Sequence, residues 1–339
     1  MVTATTSLRA ERGYTPGEHV ERYARVARLM PAMEWEAHFD LVRAIENLKR
    51  ERNALVLAHN YQRPEIFHGV ADVQGDSLAL ARAAASSTAD VIVMCGVRFM
   101  AETAKLLAPD KTVLLPMEAG CSLAESIAPA DIRALRARHP GASVVCYVNT
   151  SAAVKAECDA CCTSANAIEV VESMGTPEVI LVPDEYLAAY VAANTRVRII
   201  SWRGRCEVHE CFTGTEVGEY RRTTGAYVLA HPECSRDVQM AADYVGSTSG
   251  MIAALARRRP ARAVLVTECS MADNVCSAFP ETEFLRPCNL CPHMQRITLR
   301  SILDSLTHLR LAIDVPHETR IAARNCVQRM FDIVERRAA

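Results

Sequence analysis

Three stretches of this chain share one pattern, and that pattern constrains the fold more than any other feature. "VIVMCGVRFMAETAKLLAPDKTVLLPMEAGC" ends at Cys121, "ILVPDEYLAAYVAANTRVRIISWRGRC" at Cys206 and "VLVTECSMADNVCSAFPETEFLRPCNLC" at Cys291. Each reads as strand, helix, apolar or extended run, short loop, cysteine, and the cysteines stand 85 residues apart in both steps (121, 206, 291). A period this long exceeds a solenoid unit and suits a repeated small domain. The apolar runs at 54–59, 91–95, 112–116, 144–148, 179–183, 198–201, 226–231 and 263–267 have the length and β-branched content of strands buried on both faces. Ala- and Leu-rich stretches such as "SLALARAAAS" and "GMIAALARRR" separate them, which gives a βαβ rhythm. The expected fold is therefore α/β: three similar small parallel-sheet domains in a pseudo-threefold arrangement. We place an N-terminal extension at 1–37, domains at 38–135, 136–220 and 221–310, and a C-terminal helical segment at 311–339.

One cysteine from each of three domains is an informative number. A closed structural zinc site needs four ligands, usually in local pairs, and a 4Fe–4S cluster normally takes four thiolates. Three thiolates leave one iron with an open position, where it acts as a Lewis acid. A catalytic 4Fe–4S cluster at the threefold interface fits the spacing; catalytic zinc with a mixed ligand set is the second option. The other eleven of the fourteen cysteines invite different readings. Cys95 and Cys146 in strand-like runs, and Cys326 in a helix-like stretch, read as small buried hydrophobes. Cys158, Cys161 and Cys162 in "ECDACCTSAN" resemble a metal clamp but break the 85-residue spacing. They are expected not to be cluster ligands. Cys288 forms C-x-x-C with Cys291 and is expected to pair with it as a disulfide when the cluster is lost.

Polar motifs follow the strands, where open α/β sheets bind ligands. They are "AHNYQRPEI" (His59, Tyr61), "CYVNTSAAVKA" (Tyr147, Asn149) and "AHPECS" (His231, Glu233). A second layer lies at loop-to-helix junctions: Ser77, Ser164, Ser247 and Thr248. Such hydroxyls are ordinary N-caps, or anion ligands at helix N-termini. Glu233 is the candidate acid–base group. The net charge of −2 gives no basic field for nucleic acid, and no apolar run is long enough to span a membrane. The N-terminus lacks the apolar core of a signal peptide, so a cytoplasmic location with reduced thiols is expected.

Taken in order, "AHNYQ.PE", "GDSL", "GVRFMAETAK", "CSLA", "YVNTSAAVKA", "CTSAN", "HPE", "GSTS" and "CP.M" resemble the quinolinate synthase family over about 55–294. The resemblance implies one 4Fe–4S cluster per chain held by Cys121, Cys206 and Cys291. It implies substrate binding by His59, Ser77, Tyr147, Asn149, Ser164, His231, Glu233 and Thr248, with Tyr61, Glu233 and His231 taking part in catalysis. The implied reaction condenses iminosuccinate with dihydroxyacetone phosphate to quinolinate, in NAD biosynthesis. The chemistry allows a transient contact with the enzyme that makes iminosuccinate. A 4Fe–4S hydro-lyase acting on another small hydroxy acid, and a non-catalytic iron–sulfur or zinc redox sensor, are the rival expectations.

Overall fold

The computed structural model describes residues 14–338. Among these, twelve strands form three four-stranded parallel sheets. The first holds β1 (Ala54–His59), β2 (Val73–Gly75), β3 (Val91–Cys95) and β4 (Thr112–Leu114). The second holds β5 (Ser143–Tyr147), β6 (Ala160–Cys162), β7 (Glu178–Val182) and β8 (Arg198–Ser201). The third holds β9 (Tyr227–Ala230), β10 (Tyr244–Val245), β11 (Arg262–Val266) and β12 (Glu283–Leu285). The spatial orders are 2-1-3-4, 6-5-7-8 and 10-9-11-12, one topology used three times. This is the α/β fold of three similar units that the repeat predicts.

Side chains repeat along with the topology. An aspartate just before the second strand of each unit accepts a hydrogen bond from a backbone N–H of the first. Asp72 takes Val56 N at 2.8 Å, Asp159 takes Val144 N at 2.7 Å and Asp243 takes Val228 N at 2.9 Å. Each aspartate also meets a base on the helix that precedes the first strand of its unit: Lys49 at 2.8 Å, Arg136 at 2.8 Å and Arg221 at 2.5 Å. Buried or half-buried carboxylates need such partners, and these pin the short second strand to the first.

The central strands are apolar because both faces are covered. β3 is buried along its whole length, and only the first residue or two of β1, β5, β7, β9 and β11 are not. β8, expected as a doubly buried strand, is an edge: Arg198 and Ser201 are exposed and the two isoleucines half-buried. Cys95, Cys146 and Cys326 are buried in the core, as their apolar surroundings predict. Cys158, Cys161 and Cys162 join them; the last two belong to β6 and are fully buried, paired in register with Cys146 and Tyr147.

The chain ends return to the first two units. The helix Leu299–His308 packs on the helix Phe39–Glu51, residues 311–313 run beside β4, and the helix His317–Ala338 covers β6. Before β1, Trp35 is fully buried and stacks on His19 with ring centroids 4.8 Å apart. Residues 1–13 of the expected extension lie outside the described residues. No described helix is long and apolar enough to cross a membrane.

Candidate active site

Because the three sheets are parallel, every strand delivers its following loop to the carboxyl edge of its sheet, where ligand sites form. All twelve sequence-predicted site residues line one cavity there, which encloses about 740 Å³ of empty space including its open mouth. The first strands of the units supply His59, Tyr147 and His231; the loops after the second strands supply Ser77, Ser164 and Thr248; the loops after the fourth supply Cys121, Cys206 and Cys291. The repeat thus stacks one kind of residue in each layer.

Capping accounts for only one member of the hydroxyl layer. Only Ser247 caps a helix, accepting from Gly250 N at 3.1 Å. Asp76 and Asn166 occupy the cap positions beside Ser77 and Ser164, so those two hydroxyls, with that of Thr248, are left to the cavity. Ser164 Oγ lies 3.2 Å from His231 Nε2, and Asn60 Nδ2 donates to Thr248 Oγ1 at 2.9 Å.

Glu233 is buried at the centre of a polar network. Tyr147 donates its hydroxyl to Oε1 at 2.6 Å and Asn149 Nδ2 donates at 3.3 Å. His209 Nδ1 lies 2.9 Å from Oε2. Burial alone would raise the pKa of this carboxyl; the His209 and His231 rings and the hydrogen bonds from His209 and Tyr147 outweigh it and hold the group well below the usual carboxylate range. From His209 the chain continues. Its Nε2 lies 2.9 Å from Thr267 Oγ1, and that hydroxyl lies 2.6 Å from the Tyr61 hydroxyl. A carboxylate only accepts, so Nδ1 of His209 carries the proton and, in the neutral ring, Nε2 accepts from Thr267. Tyr61 and Glu233 are therefore linked through two residues that the sequence motifs did not single out. Burial pushes the phenols of Tyr61 and Tyr147 well above their usual pKa, and both remain protonated donors.

Burial also lowers His59 to about 4 and His231 to about 3, so both rings are neutral at pH 7. Between pH 6.5 and about 4 the unfolded chain binds protons on these histidines that the folded chain refuses. Stability contributed by the neutral rings is present above pH 6.5 and is lost as pH falls through this window, by on the order of a few kcal/mol. The urea midpoint of the metal-free chain should drop between pH 7 and pH 5, above the range where carboxylates with lowered pKa titrate. Buried His68, also lowered to about 4, adds to this drop, and Glu268, raised to about 7, opposes it. The check is therefore a His59→Gln, His231→Gln chain: its drop should be smaller than that of the wild type, and an equal drop would contradict the burial of these rings.

The three cysteine loops are laced together. Ser122 Oγ donates to Arg205 O at 3.2 Å and accepts from Glu207 N at 3.1 Å, joining the first loop to the second. His293 Nε2 meets Glu207 Oε1 at 2.9 Å, joining the third to the second. Gly204 allows the second loop its path: a Cβ there would lie 2.5 Å from the carbonyl oxygen of Pro183. Each of the three thiols is half-buried and outside any disulfide, and Cys206 Sγ lies 3.1 Å from His209 Nδ1. Burial raises Cys121 to about 12 and Cys291 to about 11, and lifts Cys206 well above the usual value. Three neutral thiols facing one cavity, with no disulfide among them, form a donor set suited to a soft metal centre that would draw off their protons. A second, tighter group lies beside it: single ligand atoms of Cys206, His209 and Glu233 fall within 4.8 Å of one another.

Cys288 does not pair with Cys291. It is joined to Cys269 as a disulfide, which also corrects the expectation that the chain holds only reduced thiols. Cys269 N donates to Asn289 O at 3.1 Å, and Cys291 N to Glu268 Oε1 at 3.2 Å. The segment 288–291 thus runs alongside 268–270, which sets Cys288 against Cys269 while Cys291 reaches the cavity.

A buried acid–base network beside a cluster of thiols, at the meeting point of three α/β units, defines an enzyme with a metal-binding active site. The family profile described as "Quinolinate synthetase A protein" matches residues 43–332. The quinolinate synthase of Agrobacterium fabrum is 60% identical over 313 residues, covering 92% of this chain and 91% of the relative. Quinolinate synthase 1 of Mesorhizobium japonicum is 58% identical over 311 residues, covering 91% and 96%, and the quinolinate synthase of Caulobacter vibrioides is 53% identical over 317 residues, covering 92% and 86%. The chain belongs to the quinolinate synthase family.

Proposed function

We propose that this chain condenses iminosuccinate with dihydroxyacetone phosphate to form quinolinate, releasing phosphate and water, with one 4Fe–4S cluster held by Cys121, Cys206 and Cys291. The observation that carries the reading is the convergence of three equivalent thiols and the Glu233–His209–Thr267–Tyr61 chain on one cavity. When bound, the cluster supplies a Lewis-acidic iron with an open coordination position. The sheets form the cores of domains 38–135, 136–220 and 221–310.

The protein's own groups do the rest. The Ser77, Ser164 and Thr248 hydroxyls, with Asn149 and the Tyr147 phenol, bind carboxylate and phosphate oxygens and fix both substrates for reaction. Neutral His59 and His231 offer ring nitrogens as hydrogen-bond partners without adding charge. Glu233, held ionised, takes a proton from carbon or nitrogen during the tautomerisations and returns it in the dehydrations. Tyr61 gives and recovers a proton at its phenolic oxygen during the steps on the triose, with Thr267 fixing the direction of its O–H. Burial of these groups keeps water from the hydrolysis-prone imine.

The Tyr61→Phe variant keeps the ring and removes the hydroxyl. Its expected kcat is lower by roughly 5- to 150-fold if the phenol orients substrate, from a lost hydrogen bond of about 1–3 kcal/mol. As a proton donor it should lose more and change its pH profile. Thr267→Val should give a smaller loss in the same direction. An unchanged kcat and pH profile in Tyr61→Phe would make the residue a structural aromatic.

Zinc at Cys206, His209 and Glu233 is a second reading, favoured by their close spacing. Anaerobic reconstitution with iron and sulfide, followed by a quinolinate assay with both substrates, separates the two. Iron-dependent quinolinate formation is expected; turnover of the zinc-loaded chain alone would overturn the cluster reading.

A further inference from the structure

Among the described residues no lysine or arginine lines the cavity, yet four carboxylates do: Asp76, Glu207, Glu233 and Glu268. A dicarboxylate and a phosphate ester would enter a site whose lining side chains offer only neutral donors and negative charge. The helix N-termini at Ser77 and Thr248 give partial positive charge at the wall, and a full positive charge has to stand behind it. Among the described residues two lysines and no arginine are buried. Lys49 is neutralised by Glu46 at 2.7 Å and Asp72 at 2.8 Å. Lys155 is fully buried and forms no ion pair with a carboxylate.

The Lys155 side chain leaves the last residue of the helix Ala152–Lys155 and turns back to the loop before it. Its ammonium donates to Val148 O at 2.8 Å, to Thr150 O, and to Thr150 Oγ1 at 3.4 Å. It sits 5.6 Å from the centroid of the Phe99 ring. Phe99, Val148 and Asn149 all line the cavity, so the charge stands one residue behind its wall. The same turn carries Tyr147 and Asn149 to Glu233, and Thr150 Oγ1 donates to Tyr147 O at 2.9 Å. On its other side the titratable groups under its influence are the thiols of Cys146 and Cys161. Burying an ammonium without an acidic partner is costly, and methionine would fill similar space without that cost. In so poorly solvated a place its field is weakly screened.

We propose that Lys155 is a positioning residue for anionic ligands of this cavity: it holds the Tyr147–Thr150 turn in place and supplies the full positive charge the cavity lining lacks. The proposal rests on the reading of the cavity as a site for anionic substrates.

The test uses the anaerobic holoenzyme and two probes of different charge, quinolinate as a dianion and picolinate as a monoanion. K155M removes charge and hydrogen bonds, K155Q keeps amide donors without charge, and K155R keeps the charge. Both neutral variants should lose affinity on the order of tenfold per ligand charge, for a unit charge about 10 Å away at an effective dielectric near 20. Quinolinate then suffers about the square of the loss seen with picolinate, and KM for the anionic substrates rises more than kcat falls. K155R should keep the wild-type ratio of the two affinities. Equal loss for both probes, or none, would overturn the electrostatic role; so would failure of both neutral variants to fold while K155R folds, which would assign the charge to stability alone. A wild-type holoenzyme that neither makes nor binds quinolinate would instead overturn the reading of the cavity itself.

Discussion

Cys121→Ser, Cys206→Ser and Cys291→Ser should each abolish the iron–sulfur absorbance of the anaerobically reconstituted protein and reduce quinolinate formation to background. The effect is the largest expected because a cluster held by three thiolates rather than the usual four has no spare ligand. A serine hydroxyl is a hard and weakly acidic donor in place of a soft thiolate. The loops themselves should survive the change, since they are tied by Ser122, Glu207 and His293 rather than by the thiols. Cys162→Ser is the control. Cys162 is fully buried in β6, so that variant should lose some stability but keep cluster and turnover. Cluster loss in Cys162→Ser with retention in Cys206→Ser would overturn the ligand assignment.

Glu233→Gln should fold, bind the cluster and lose about 10²–10⁴-fold in kcat, the usual contribution of a general acid–base group. Its consequences run further than the lost charge. The amide oxygen can still accept from Tyr147 and Asn149, which now reach Oε1 at 2.6 and 3.3 Å. The amide nitrogen then faces His209 Nδ1, so donor meets donor unless the ring changes tautomer. That change makes Nε2 donate to Thr267 and reverses the hydrogen bonds as far as Tyr61. Steady-state kinetics over pH, with iron content measured on the same sample, checks both parts. Wild-type kcat would remove Glu233 from the mechanism.

The layers of the site were legible because the repeat places like residues at like positions. His59, Tyr147 and His231 each follow a long apolar run, and the three cysteines keep a constant spacing. The second strands were harder to see. "VQG" and "YV" are too short to show alternation, and their place depends on the Asp72 and Asp243 contacts to the neighbouring strand. Thr267 and His209 escaped for another reason. Each acts through a partner far along the chain, Thr267 through Tyr61 206 residues away, and no local pattern marks such a contact. His209 carried one faint signal. It stands three residues after Cys206, where the equivalent positions after Cys121 and Cys291 hold Ala124 and Met294. Cys288 misled because C-x-x-C spacing says nothing of which strand end lies alongside; the backbone bond from Cys269 to Asn289 decides the pairing. "ECDACC" looked like a clamp, but its last three residues are the fully buried edge strand β6, and Lys155, just before the stretch and three residues ahead of Cys158, is the side chain that lies behind the cavity wall.

The central claim is a cluster on three cysteines with one iron free to meet a ligand in this cavity. Mössbauer spectroscopy of the ⁵⁷Fe-reconstituted chain, with and without saturating quinolinate, tests it most directly. The account predicts a four-iron cluster in which one iron alone changes its spectrum when the ligand binds. A spectrum unchanged by saturating ligand, or a centre with fewer irons, would contradict it.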